Sequence, residues 1–200
     1  MRVSVPQASL KRLLRSLQIA LLTGGAGMLG YCAFVLADTW IYQKQASRMF
    51  DTANLRPAPL PGPAADAATG LLGRMEIPRL GISMIVAEGT SEAILRRAGG
   101  HIAGTALPGD RGNVGIAGHR DTLFRPLRNI RQDDVITITT LQGEYRYRVV
   151  STKIVSPSDV TVLNSDGHEV LTLVTCYPFY FVGPSPDRFI VRAERVAHSI

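Results

Sequence analysis

Alternation of apolar and polar residues marks the second half of this 200-residue chain. Between residues 144 and 155, Tyr145, Tyr147 and Val149 share one face of a predicted strand, and arginines occupy the other face. Shorter runs rich in β-branched residues lie on either side and are separated by glycine and proline. The predicted strands cover residues 73–77, 83–87, 113–118, 134–140, 144–155, 169–175 and 188–196.

Helical patterns are few in this part of the chain. Residues 91–98 predict a short helix, with Thr90 or Ser91 as its N-cap and Gly99 and Gly100 as its terminator. About eight strands, only short helices and no long β–α alternation predict an all-β fold, either a sandwich or a closed barrel.

The N-terminal pattern is different, because it is continuously apolar. Leu17 to Ala37 is a run of 21 residues without a charge, and a helix of that length covers the ~30 Å hydrocarbon core of a membrane. A cleaved signal peptide is the alternative, but its apolar region is usually about 7 to 15 residues long. No convincing small-residue cleavage site precedes Asp38. The pattern favours an uncleaved, single-pass membrane anchor.

Charge predicts the orientation of this anchor. Residues 1–37 contain four basic residues and no acidic one, and basic residues collect on the cytoplasmic side of membranes. The N-terminus is therefore expected in the cytoplasm and the rest of the chain outside it. Beyond residue 37 the chain carries 18 basic against 16 acidic residues. Without a basic stripe interleaved with aromatics, a nucleic-acid partner is not expected.

These patterns divide the chain into four segments. Residues 1–16 form a basic cytoplasmic tail and residues 17–37 the transmembrane anchor. Residues 38–70 are expected to be an extended, Pro/Ala-rich linker, in which 42–54 could first continue as a short exposed helix. Four prolines in residues 56–63 favour the extended conformation. Residues 71–200 form the folded catalytic domain.

Cys176 is the clearest candidate for a reactive residue. It is the only cysteine outside the apolar segment, where Cys32 lies, so no disulfide framework or zinc spacing is predicted. A thiolate and an imidazole can perform covalent acyl transfer, and His119 ends a predicted strand of small residues. Arg188 follows Cys176 by twelve residues and could stabilise an oxyanion. A buried, unreactive thiol explains Cys176 equally well, and four histidines leave other pairings open.

Four further residues are candidates for substrate binding. Asp121 could orient the imidazole of His119 if the strand continues, and a solvated turn carboxylate is the alternative. Thr175 could offer its hydroxyl to the oxyanion, or be an ordinary strand residue. Tyr177 and Phe179 could line an apolar groove, or belong to the core. Metal and cofactor sites are not predicted: the acidic pair at residues 133 and 134 has too few oxygens for calcium.

The exact residues of these motifs also resemble those of a known protein family. The motif Thr-Leu-Val-Thr-Cys at residues 172–176, Arg188 twelve residues later and Gly-His-Arg-Asp at 118–121 resemble the sortase family of cysteine transpeptidases. The similarity covers roughly residues 72–196 and is strongest to class D sortases. It implies an eight-stranded β-barrel preceded by the membrane helix, with His119, Cys176 and Arg188 as catalytic residues and no cofactor.

The resemblance also implies partners and a reaction. A sortase cleaves a sorting signal similar to Leu-Pro-x-Thr-Gly (LPxTG) through a thioacyl enzyme and transfers the protein to an amine. The acceptor is a cell-wall precursor or a lysine of another protein. Two alternatives remain open at this stage. The same fold could act as an extracytoplasmic thiol protease with water as acceptor, or as a barrel that binds peptides without chemistry.

Overall fold

The computed structural model describes residues 7–54, 70–180 and 183–196. Its elements, in chain order, are helix α1 (Gln7–Asn54), strands β1 (Leu71–Ile77) and β2 (Ile82–Glu88), helix α2 (Glu92–Leu95), and strands β3 (Gly99–His101), β4 (Asn113–Ala117), β5 (Val135–Thr139), β6 (Glu144–Val155), β7 (Val170–Tyr177) and β8 (Asp187–Arg195). Short 3-10 helices cover Pro78–Leu80, Arg125–Asn129 and Val160–Leu163. The chain divides into two compact units between Ile41 and Tyr42.

The first unit is the apolar part of α1. Its large side chains are exposed, among them Leu22, Leu29 and Phe34 at 64%, 73% and 69%. The helix is long and apolar enough to cross a membrane, judged by length and composition. The predicted N-terminal apolar helix is therefore present.

The last turns of α1 belong to the second unit and pack against strand β2. Ala46 is buried against Ile85, and the side-chain oxygen of Gln43 accepts a hydrogen bond from the backbone N–H of Ile85 at 2.9 Å. Residues 42–54 were expected to be exposed, and that expectation is wrong for this inner face. Ala46 made it hard to foresee, because one small apolar residue gives no amphipathic pattern.

This helix also changes the description of the predicted linker. Residues 38–54 are helical, not extended as the predicted linker segment requires. The proline-rich remainder, residues 55–69, lies outside the described residues. The first strand of the barrel, β1, begins at Leu71.

The eight strands form a closed barrel in the order β1-β2-β3-β4-β7-β8-β6-β5. Pairing between β1 and β5 closes it, so the barrel has no free edge. The β2–β3 and β4–β7 pairs are parallel and the others antiparallel. The prediction of an all-β fold is confirmed in its closed-barrel form.

Alternating side chains fill the barrel and form one core. On β6 the pattern is as predicted, because Tyr147 and Val149 are buried and the arginines between and before them are exposed. Other inward-facing members include Met75, Ile77, Val86, Ile116, Ile136, Ile138, Leu171, Leu173 and Val191. The inward direction of these residues fixes which side chains face outward on the same strands.

Strand β3 is the element that the sequence did not predict. Its residues Gly99 and Gly100 were assigned to a helix terminator, and α2 is shorter than the predicted helix over 91–98. A Cβ atom on Gly100 would lie 2.4 Å from the backbone oxygen of Gly89. Close backbone approach therefore requires glycine here, and three residues are too few for an alternating pattern.

An ion pair lies where the first 3-10 helix meets the start of β5. The guanidinium of Arg79 donates to both carboxylate oxygens of Asp134, which is buried, and to the backbone oxygen of Asn129 at 2.7 Å. The backbone N–H of Arg131 also donates to Asp134, at 2.8 Å. The hydrogen bonds from Arg79 hold the pKa of Asp134 below its usual range.

Candidate active site

Cys176 lies on the outer face of β7. Leu171 and Leu173 point into the core, so the alternation of the strand directs Thr172, Val174 and Cys176 outward. Cys176 is a free thiol and is partly accessible. The arrangement leaves the sulfur at the surface of the barrel, unlike a thiol packed in the core.

Arg188 is the direct partner of Cys176 across the β7–β8 pair. Opposite residues of an antiparallel pair lie on the same face, with Cβ atoms about 4.5–5.5 Å apart. One Arg188 nitrogen, Nη1, donates to the backbone oxygens of Ser185 and Asp187 at 3.3 and 3.0 Å. Among the described residues, its Nε and Nη2 donate no hydrogen bond. The structure thus brings a positive charge with unused donors beside the thiol.

His119 lies at the end of the neighbouring strand. In the parallel β4–β7 pair, Ala117 is opposite Val174, and the backbone N–H of Gly118 still donates to the Val174 oxygen at 3.1 Å. This hydrogen bond keeps the chain alongside β7 as far as Gly118, so His119, the next residue, lies near the end of β7 that carries Cys176. His119 is partly accessible. The structure therefore brings the three residues to the same end of the barrel, and their catalytic roles stay a prediction.

Gly118 explains why small residues lead up to the histidine. A Cβ atom on Gly118 would lie 2.7 Å from the ring of Phe124, which is fully buried. The turn after His119 folds back over the strand end, because the N–H of Phe124 donates to the His119 oxygen at 3.1 Å. The ring therefore supports the strand end from inside the barrel.

Thr175 is engaged in holding the two strands together. It is buried, and its hydroxyl donates to the backbone oxygen of Gly118 at 2.7 Å. A hydroxyl has one proton to donate, so in this geometry it is not available for an oxyanion. In this structure Thr175 has the position of a strand residue that links two strands, and its role in oxyanion binding stays a prediction.

The prediction for Asp121 assumed that the strand continues past His119, and the strand does not continue that far. Strand β4 ends at Ala117 and residues 120–124 form a turn. The Asp121 side chain is 70% exposed and lies 3.4 Å from the guanidinium of Arg120. Its predicted position on the His119 side of a continuing strand is therefore wrong.

Tyr177 and Phe179 form an aromatic cluster with Phe189 below the loop between β7 and β8. The rings of Tyr177 and Phe179 pack edge to face with their centroids 6.1 Å apart, and the ring centroids of Phe179 and Phe189 are 5.3 Å apart. All three are partly accessible, and Phe179 packs against the core. The Tyr177–Pro178 peptide bond is cis. Core packing and contact with a substrate are both compatible with these positions.

A cavity of about 140 Å³ opens on the same outer face as Cys176. Thr172 lies four residues before Cys176 along β7, about 13 Å away. The cavity is lined by Ser151, Lys153, Val162, Thr172, Ile190 and Arg192. The side-chain nitrogen of Asn113 holds the wall by donating to the backbone oxygen of Val162 at 3.0 Å. A larger cavity of about 620 Å³ surrounds Glu169 at the other end of β7, away from the thiol.

Another histidine, His101, is excluded from this chemistry by its surroundings. It is buried, its Nδ1 lies 2.7 Å from a Glu88 carboxylate oxygen, and its Nε2 lies 3.0 Å from the backbone oxygen of Ala106. These contacts fit the expectation that His101 packs and does not react. No group of three or more metal-ligating side chains occurs among the described residues.

Two residues of the site were missed by the sequence reasoning. Arg120, directly after His119, is only 6% exposed and binds the loop between β7 and β8. Ser185, in that loop, is one of its partners. Arg120 belongs to the Gly-His-Arg-Asp motif that was noted, but only the folded loop supplies its partners. Its place in this motif is the signal in the sequence that could have identified Arg120 as a residue of the site.

A thiol, an imidazole and a guanidinium on one face of a closed barrel define the class of cysteine acyl-transfer enzymes. The chain matches the family model of the Sortase domain over residues 75–196. It is 30% identical to Sortase D of Bacillus subtilis over 192 residues, which are 88% of this chain and 96% of that protein.

Solved structures give the same result. A Clostridium perfringens Sortase D5 transpeptidase superposes with a TM-score of 0.66 and 28% identity, over 78% of this chain and 99% of that one. Sortase C1 from Streptococcus agalactiae superposes with a TM-score of 0.60 and 33% identity, over 66% and 70%. The chain belongs to the sortase family, a family of cysteine transpeptidases, and the predicted resemblance is confirmed.

Proposed function

We propose that this chain is a membrane-anchored sortase that cleaves an LPxTG-like sorting signal and transfers the protein to an amine. The observation that carries the proposal is the register, in which Cys176 pairs directly with Arg188 on one side. On the other side, the β4–β7 pair leads His119 to the same end of the barrel. Sortases act on sorting-signal proteins and amine acceptors, which supports this substrate class.

The proposed reaction has two halves. The thiolate of Cys176 attacks the threonine carbonyl carbon of the signal, and the carbonyl oxygen becomes an oxyanion that the free donors of Arg188 stabilise. Protonated His119 gives its proton to the departing amine, the C–N bond breaks and a thioester remains. An acceptor amine then attacks the thioester, His119 takes the amine proton, and the thiolate leaves.

The outer face of the barrel is the surface on which the signal would lie. The leucine of an LPxTG signal precedes the scissile threonine by three residues, which span about 10 Å when extended. Measured from Cys176 along β7, a point about 10 Å away falls between Val174 and Thr172. The side chains of Val162 and Ile190 at the cavity would bury its apolar leucine.

The N-terminal segments complete the proposal. Residues 17–37 would anchor the protein in the cell membrane, with the basic residues 1–16 in the cytoplasm and the barrel, residues 71–200, outside. The exposed apolar side chains of α1 support insertion in lipid. The proline-rich residues 55–69 would act as a spacer between the anchor and the barrel.

The test of activity uses the full-length protein in detergent micelles with a fluorogenic peptide containing Leu-Pro-x-Thr-Gly. We expect cleavage between threonine and glycine, a thioester adduct on Cys176 detected by mass spectrometry, and a new amide product when an amine is added. Cys176→Ala and His119→Ala should abolish cleavage. Cys32→Ala is the matched control and should leave turnover unchanged.

Other outcomes distinguish the alternatives. Hydrolysis as the only product with a glycine peptide, a lysine peptide and hydroxylamine would replace the transpeptidase by a thiol protease. Peptide binding without any adduct on Cys176 would favour a non-catalytic peptide-binding barrel.

Topology has a separate test. A reporter enzyme that is active only outside the cytoplasm is fused after residue 200 and, in a second protein, before residue 1. Activity of the C-terminal fusion alone is expected. Activity of the N-terminal fusion alone would reverse the proposed orientation.

A further inference from the structure

Arg120 is a buried arginine beside the proposed catalytic histidine. It is 6% exposed, and charged side chains are rarely buried to this extent unless their donors are satisfied. Its nearest carboxylate, Asp121, is 3.4 Å away and largely exposed to solvent. Ion pairing with Asp121 therefore does not account for the burial of this charge.

The partners of Arg120 lie mainly in the loop between β7 and β8. Nη1 donates to the backbone oxygen of Pro178 at 2.8 Å and to the hydroxyl of Ser185. Nη2 donates to the backbone oxygen of Gly183 at 3.3 Å. These acceptors lie near both ends of the loop. A planar fork of fixed donors can hold them together, whereas a lysine ammonium is a single point.

Ser185 connects Arg120 to Arg188. Its hydroxyl accepts from Arg120, and its backbone oxygen accepts from Nη1 of Arg188 at 3.3 Å. Arg188 in turn is the strand partner of Cys176. A continuous chain of contacts therefore runs from the residue after His119, through the loop, to the guanidinium beside the thiol.

We propose that Arg120 is a positioning residue that fixes the β7–β8 loop and, through Ser185, aims Arg188 at the reacting carbonyl. The kinetic part of this proposal rests on the proposed function. Apart from Asp121, the partners of Arg120 named above lie in the loop. Its effect is therefore expected on the rate of the chemical step, because misplacing a catalytic group by about 1 Å can cost about 100-fold.

The structural test is hydrogen exchange of the full-length protein in detergent micelles, which requires no peptide substrate. In Arg120→Gln we expect at least about tenfold faster exchange in the loop peptides between residues 177 and 187. The barrel strands should exchange as before. Arg128→Gln is the matched control: Arg128 is exposed and only stacks on Tyr180 of the same loop, at 5.6 Å.

The kinetic test compares variants of Arg120, Ser185 and Arg188 with the cleavable peptide. Arg120→Gln should lower kcat by about 10- to 100-fold with KM changed less than about threefold. Arg120→Lys should recover only part of kcat. Ser185→Ala should lower kcat, and Ser185→Thr, which keeps the hydroxyl, should recover it. In an Arg188→Lys background, Arg120→Gln should add little further loss, because both changes act through the same group.

The outcomes separate the two proposals. Unchanged loop exchange in Arg120→Gln, or losses that multiply with those of Arg188→Lys, would overturn the positioning role. Faster exchange through the whole barrel would also overturn it and reduce Arg120 to a general stabilising residue. Faster exchange confined to the loop, in a protein that cleaves no peptide, would retain the positioning role and reject the proposed function.

Discussion

An arginine holds each of two corners of the barrel together, and the two arginines differ in burial and in the groups that accept their hydrogen bonds. At the first, Arg79 is exposed and pairs with the buried carboxylate of Asp134. At the second, the arginine itself is buried, and Arg120 donates to two backbone oxygens and a hydroxyl. The first corner joins a 3-10 helix to β5, and the second joins His119 to the loop before Arg188.

The difference shows what each arrangement is suited to. A carboxylate partner makes the Arg79 corner a source of stability that depends on pH, because Asp134 must be ionised. The loop partners of Arg120 are neutral acceptors, and its titratable contact, Asp121 at 3.4 Å, is largely exposed. The Arg120 corner therefore holds the loop mainly through groups that do not titrate. We expect changes at the first corner to alter unfolding and changes near the second to alter turnover.

Replacement of Arg188 should give the largest effect. Arg188→Lys removes the fork of donors beside Cys176 and should lower kcat/KM by at least about 100-fold, with little change in Tm. Steady-state kinetics and thermal unfolding measure the two quantities. Arg146→Lys, exposed on β6 and paired with Glu144 at 3.1 Å, is the control. Turnover that is unchanged in Arg188→Lys would remove Arg188 from the mechanism.

The Arg79 corner should respond in stability alone. Asp134→Asn should lower the free energy of unfolding by about 1–3 kcal/mol at pH 7 and leave kcat within about twofold. The pKa of Asp134 is lowered in the folded protein. Its ionised form therefore contributes stability above the unfolded-state value of about 4.

That contribution is lost as the pH falls through the lower folded-state pKa. The difference between wild type and Asp134→Asn should shrink accordingly in urea titrations at decreasing pH. Asp133→Asn is the control, since Asp133 is largely exposed and lies 3.9 Å from Arg148. A difference that grows towards low pH would contradict the assignment.

Gly118→Ala tests the support beneath His119. The added methyl would lie 2.7 Å from the Phe124 ring, and overpacking of this kind costs about 1–3 kcal/mol. Both stability and turnover should fall, because the strand end carries the histidine. The double variant Gly118→Ala, Phe124→Leu should regain part of both. Failure of the smaller side chain to restore anything would show that the ring is not the obstacle.

Thr175→Val should give the smallest effect. It removes the hydrogen bond to the Gly118 oxygen and should cost about 1 kcal/mol of stability, with kcat changed less than about threefold. Loss of an oxyanion donor would instead lower kcat by about 100-fold or more. Thr175→Ser keeps the hydroxyl and is the control. A large kcat loss in Thr175→Val alone would restore the oxyanion role.

Much of the fold could be predicted from local pattern. The alternation on β6 fixed its buried face, and a continuous apolar run identified the N-terminal helix. Strand β3 could not be predicted in this way, since Gly100 is required by its close approach to the backbone oxygen of Gly89, and Gly99 packs against side chains of β2 and β4. The packed face of α1 was hidden for the same reason, because Ala46 becomes buried only against a strand.

The site divides along a similar line. Sequence alone determined the reactive groups, because Cys176, His119 and Arg188 are chemically distinctive and stand in specific motifs. Only the tertiary structure decided how they are held. The hydroxyl of Thr175 donates a hydrogen bond to the backbone oxygen of Gly118, and the carboxylate of Asp121 is exposed to solvent. Arg120 binds a loop nearly sixty residues away in the chain. A hydrogen bond depends on where distant backbone oxygens lie, and that position exists only after the barrel has closed.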